Sequence, residues 1–128
     1  KQFRTDRPLS ILLNTNHTWS DCESTPVQGK LAGASNVHMH GGVNNWNPLV
    51  ENNPQNQSKT ALTDMGDGIW RMDLILQDYF GFDDNFVLQG INMVFANSDW
   101  SLMGKDINCA DFYIEAPEMA ERGRRAAP

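Results

Sequence analysis

Apolar and polar residues alternate with a period of two through most of this chain. Ser10-Ile11-Leu12-Leu13-Asn14 follows Pro8 and predicts a first strand. Asn36 to His40 alternates, with Val37 and Met39 on one face and His38 and His40 on the other. After the turn Asp64-Met65-Gly66-Asp67-Gly68, residues Ile69 to Leu76 predict a strand. Trp70, Met72 and Leu74 share one face of it, so Trp70 reads as core. Ile91 to Asn97 predicts a central strand, and Asp111 to Glu115 the last one. No segment sustains a helical period, and Gly, Asn and Asp punctuate the runs. The pattern predicts an all-β fold, an antiparallel β-sandwich of immunoglobulin-like type.

Between the strands, the polar stretches matter most. Asn44 to Lys59 is rich in Asn, Gln and Pro and reads as one long loop, and long ordered loops tend to be functional. Tyr79 to Asp84 reads as an aromatic loop, and Ser98-Asp99-Trp100-Ser101 as a hairpin tip. From Pro117 onward there is little core material. The expected organisation is one domain over residues 1–116 and a tail or linker over 117–128.

Charge narrows the partners. The formal net charge of -6 over 128 residues argues against nucleic acid, whose phosphates need a basic surface. It equally disfavours acidic polysaccharides and anionic membranes. No apolar run approaches the ~20 residues of a membrane helix, so no membrane insertion is expected. The sequence starts at Lys1 without Met or a signal peptide, which fits a mature or excised segment. Cys22 and Cys109 fit no metal or redox spacing. They are either a disulfide, which would close a long loop in an oxidising compartment, or two buried thiols. Asn16-His17-Thr18 and Asn56-Gln57-Ser58 are glycosylation sequons, triplets that also arise by chance.

His38 and His40, two apart on a strand, can share a metal only with a third ligand, and His17 is the sole other histidine. The plainer expectation is half-buried imidazoles bonded to neighbours, with no metal. Asp106, Asn108 and Asp111 offer oxygen ligands for a structural Ca²⁺, without EF-hand spacing. No other cofactor is expected. GxSxG, HExxH and Gly-rich phosphate motifs are missing, and most Asp residues sit in turns, so a non-enzyme is expected. Trp46 and Trp100 stand out because each lies in a polar stretch, Asn44-Asn45-Trp46-Asn47 and Asn97-Ser98-Asp99-Trp100. Such a ring either tucks back onto the sandwich or offers a platform to a sugar's C–H face, with Asn and Asp hydrogen-bonding its hydroxyls. Trp19 is a weaker third candidate.

The order of motifs adds to this. Leu31 to Val43 ("LAGASNVHMHGGV") precedes Met65 to Leu74 ("MGDGIWRMDL"), Tyr79 to Phe82 ("YFGF"), Ile91 to Asp106 ("INMVFANSDWSLMGKD") and Ala110 to Ala116 ("ADFYIEA"). This series resembles the carbohydrate-binding-module-like β-sandwiches found beside secreted glycoside hydrolases of Bacteroidetes, especially α-amylase-like ones, and more loosely the starch-binding modules. The resemblance spans Leu31 to Glu115. It implies a non-catalytic module of a secreted or cell-surface protein that binds a polysaccharide or oligosaccharide. By position, His40 and Trp46 match its histidine–tryptophan stretch, and Asn97 with Trp100 its later binding loop. Relatives carry Tyr at the place of His38 and a shorter turn at Asn97 to Trp100, so the implied ligand is a neutral glycan rather than starch in particular. The expected ligand-binding residues are Trp46, Trp100, His40, Asn45, Asn97 and Asp99. The alternative is a structural sandwich, a spacer, adhesin-type module or subunit of an extracellular assembly, whose tryptophans pack on partner chains.

Overall fold

The alternation read from the sequence becomes two antiparallel sheets packed face to face in a computed structural model that describes residues 4–116. The tail expected over 117–128 lies outside the described residues. In chain order the strands are β1 (Pro8–Asn14), β2 (Trp19–Ser20), β3 (Val27–Gln28), β4 (His38–Val43) and β5 (Leu49–Val50), then β6 (Thr63–Gly66), β7 (Ile69–Ile75), β8 (Gly90–Ala96), β9 (Met103–Gly104) and β10 (Phe112–Glu115). Two short helices, α1 (Gln57–Thr60) and α2 (Leu76–Phe80), interrupt them.

One sheet has the order β1-β7-β6 and the other β10-β8-β4-β5, with β9 added to the end of β8. Strands β2 and β3 form a separate small pair. The inward residues of β1 (Ile11, Leu13) and β7 (Trp70, Met72, Leu74) join one core with Met39 and Val43 of β4 and Ile91, Met93 and Phe95 of β8. Each such side chain contributes roughly 2 kcal/mol relative to exposure, which fixes the register, because a one-residue slip would turn all of them outward. Trp70 pairs across β1 with Leu13 and is 7% exposed, as its alternation predicts.

Two expectations need correction. Leu76 does not end the strand but begins α2, which also takes in Tyr79 and Phe80 from the expected aromatic loop. Leu76, Tyr79 and Phe80 stand at i, i+3 and i+4, and all three are buried. Gly81 closes the turn in the left-handed region (φ 75) and donates its N–H to Gln77 at 2.9 Å. The stretch from Asn44 to Lys59 is also not a plain loop. It contains β5, a 3₁₀ turn over Pro54–Asn56 and most of α1. The Asn53 side chain accepts from the Asn56 N–H at 3.1 Å, and Pro54 occupies the first position of the turn.

The end of the sandwich near β2 is tied together more tightly than its short strands suggest. Cys22 and Cys109 are bonded to each other across 87 residues, so the disulfide alternative holds. The Trp19 N–H donates to the Lys105 carbonyl at 2.8 Å, and the Lys105 N–H returns the bond at 2.8 Å. A Cβ on Gly104 would stand 2.6 Å from Leu31 Cδ2 and 2.8 Å from Thr18 Cβ. Only glycine lets β9 lie this close to the Thr18–Trp19 segment.

Candidate functional site

In β4, residues of one parity point into the core and the others outward. His40 sits opposite Val94 of β8, and His38 opposite Ala96. His38 is covered, at 5% exposure, and its Nδ1 shares a 2.8 Å hydrogen bond with the Thr60 hydroxyl of α1. His40 is only half-buried. The two imidazoles therefore share a sheet face but not an environment. Burial holds both below the ordinary imidazole pKa; for His40 the Glu51 carboxylate partly opposes it.

The chain leaves β4 through a turn that presents Trp46. Asn44, Asn45 and Trp46 have φ of 49, 65 and 73, three consecutive residues in the left-handed region. Asn accepts that conformation readily, whereas a tryptophan there is strained, a state that costs on the order of 1–3 kcal/mol and clusters at functional sites. The turn is held by its bonds. Asn47 N–H donates to the Val43 carbonyl at 2.8 Å, and the Asn44 amide bridges to the Val87 carbonyl (2.8 Å) and the Gln89 N–H (2.6 Å). Asn45 N–H donates to Asn92 Oδ1 at 3.0 Å, while the Asn45 residue itself is exposed. A Cβ on Gly42 would stand 2.7 Å from Trp46 Cα, so Gly42 is what allows the turn to fold back over the strand.

Trp100 reaches the same place from β8. It too has a positive φ, 64. The hairpin from Asn97 to Leu102 is built by the residues that the sequence marks as ligand-binding. Asn97 Oδ1 accepts from the Leu102 N–H at 3.0 Å, and Asn97 Nδ2 donates to Ser101 Oγ at 2.8 Å. Asp99 Oδ1 accepts from the Ser101 N–H at 3.0 Å, and the Ser101 hydroxyl first, then this N–H, hold that carboxyl below its ordinary range. Asn97 and Asp99 thus shape the loop that carries Trp100.

The two turns meet over His40. Its ring lies 5.8 Å from that of Trp46, tilted by 40°, and 5.1 Å from that of Trp100, edge-on at 77°. Behind them stands Asn52, which the sequence reading did not single out. Its N–H donates to His40 Nδ1 at 3.1 Å, its carbonyl accepts from Trp100 Nε1 at 2.8 Å, and its Nδ2 donates to the Asn97 carbonyl at 3.2 Å. One buried residue, 3% exposed, thereby fixes the histidine, the tryptophan and the hairpin. The sequence carries no signal for it: Leu49 to Asn52 alternates exposed and buried in the structure, but Leu-Val-Glu-Asn does not alternate in polarity. With Nδ1 accepting, the proton of the neutral imidazole resides on Nε2, as a donor.

An open cavity of ≈ 430 Å³ is lined by His40, Trp46, Leu49, Val94 and Trp100, together with Met103, Lys105 and Asp111. Asp111 lies 3.7 Å from Lys105, and Asp106 accepts from the Ile107 N–H at 2.8 Å, so both carboxylates named for Ca²⁺ have other partners. Among the described residues, no three His, Cys, Asp or Glu side chains are grouped to hold a metal. No helix among them is long and apolar enough to cross a membrane. The arrangement offers two indole faces, one imidazole donor and an exposed amide at Asn45. No protein-family profile matches the chain, and no curated protein matches it.

Proposed function

We propose that this protein is a non-catalytic carbohydrate-binding module of a secreted or cell-surface protein, taking a neutral glycan by aromatic stacking. The observation that carries this is the convergence of Trp46 and Trp100 on His40. Each tryptophan is half-buried and sits on a left-handed backbone, and each turn is braced by side-chain and backbone hydrogen bonds. Rings maintained at such backbone cost, and lining one open cavity, suit the flat C–H face of a sugar. His40 Nε2–H and the Asn45 amide supply hydroxyl contacts. The Cys22–Cys109 bond supports an oxidising compartment. Affinity per site is weak, because an open groove buries little area, and copies or partner modules add avidity.

The test is affinity electrophoresis against a panel of neutral polysaccharides, with Trp46→Ala and Trp100→Ala beside the wild type. Retardation by one glycan, lost in both variants while the near-ultraviolet spectrum stays folded, is the expected result. A second reading, a structural sandwich docked to a partner chain, draws on Leu49, which is 40% exposed beside the rings. It predicts no retardation and an oligomer in size-exclusion chromatography.

A further inference from the structure

Beyond Trp100 lies a second open groove of ≈ 390 Å³. Trp19 of β2 lines it, with Lys30 and the Asp21–Ser24 loop on one side. It shares Trp100, Met103 and Lys105 with the cavity over His40. The two cavities therefore adjoin, and Trp100 lines both. A site for a chain end or a single small sugar needs one closed pocket; two open cavities in series make a trough.

We infer that the ligand is a linear neutral glycan bound along its length, running from Trp46 across Trp100 to a third platform at Trp19. This rests on the carbohydrate-binding reading and extends it. Three features make the second groove fit for such a chain. Trp19 is half-buried, and the backbone that carries its indole is fixed by the paired bonds to Lys105. The groove wall is clamped by the Cys22–Cys109 bond. Its cations are matched: Lys30 Nζ is 2.8 Å from Asp21 and Lys105 Nζ is 3.7 Å from Asp111. The pairs offer donors and acceptors to hydroxyls, and they leave no surplus positive charge to favour a uronate or a sulfate.

Calorimetric titration with gluco-, manno- and xylo-oligosaccharides, each from the disaccharide to the octasaccharide, tests this on the wild type, Trp19→Ala and Ser24→Trp. Ser24 is exposed and lines only the second groove, so its replacement blocks that groove without touching the core. In the bound series, wild-type affinity climbs past the length that spans Trp46 and Trp100. Both variants lose roughly tenfold for the longest members and nothing for the shortest that bind. An affinity that levels off at the short members, with both variants binding long chains as the wild type does, overturns the trough while leaving the module. No binding of any series by folded wild type overturns the module, and the trough with it.

Discussion

The two outer faces of the sandwich are built from the same strand alternation yet end up as different surfaces. On the three-stranded sheet, Ser10 of β1 lies opposite Asp73 of β7. The Ser10 hydroxyl donates to Asp73 at 2.5 Å, and Arg71 Nε donates to the same carboxylate at 2.9 Å. Those groups satisfy one another in solvent, and exposed pairs of this kind contribute little to stability. On the five-stranded sheet the equivalent positions carry His40 and Val94, and two turns from outside the strands bring tryptophans over them. The three-stranded face also borders an open cavity of ≈ 490 Å³ lined by Met65, Arg71, Asp73 and the buried Tyr79, with no tryptophan in its lining. The other has strained aromatic residues beside an open cavity. The difference supports the place given to the proposed site: of the two faces, only the second carries tryptophans on a left-handed backbone.

Ways of breaking this contrast can be ranked. The largest effect is expected from the disulfide, which braces only the end of the molecule beside the tryptophan grooves. Removing it with Cys22→Ser and Cys109→Ser releases a loop of 87-residue separation and lowers stability by about 4 kcal/mol in urea denaturation. Next is Gly42→Ala. Its methyl meets the Trp46 backbone, so it costs about 2 kcal/mol and also abolishes glycan retardation on electrophoresis. Thr60→Val strips the buried partner from His38 and costs about 1 kcal/mol, with glycan affinity unchanged because His38 is covered.

Acid has a smaller, signed effect. Both His38 and His40 titrate below the ordinary 6.5 because burial disfavours the charged ring. The unfolded chain therefore takes up protons first. The histidine contribution is intact above about pH 6.5, and stability falls as pH drops through that value until the folded rings protonate in turn. Comparing urea midpoints at about pH 7.5 and about pH 5 keeps the lowered carboxylates Asp6, Asp73 and Asp99 ionised in both states. His40→Gln reduces the difference. Smallest of all, Arg71→Ala on the opposite face leaves both the urea midpoint and glycan binding as in the wild type.

The strands were legible because burial on one face writes itself into the sequence. Trp70, Met72 and Leu74 announce their strand, and β1 and β10 follow the same logic, whereas β4 and β8 are buried along nearly their whole length, and β8 reads instead as a short apolar run. The helix α2 was hidden because Leu76 continues the apolar run of β7, so its i, i+3, i+4 triplet reads as more strand and then loop. The candidate site was half legible. Tryptophans in asparagine-rich turns could be picked out singly. That Trp46 and Trp100 flank one histidine depends on the β4–β8 pairing, which brings His40 against Val94 and which no local pattern encodes. Asn97 and Asp99 read as ligand contacts; their bonds within the hairpin were not legible, because an Asn or Asp that shapes a turn and one that meets a ligand look alike in sequence.

The most direct measurement is an NMR titration of the indole N–H resonances of the four tryptophans with the glycan that retards the protein. The signals of Trp46 and Trp100 are predicted to shift on binding while that of Trp70, in the core, stays still. Shifts confined to backbone amides of Leu12 and Arg71, or binding that leaves Trp46 and Trp100 unmoved, would place the ligand on the other face and contradict the account.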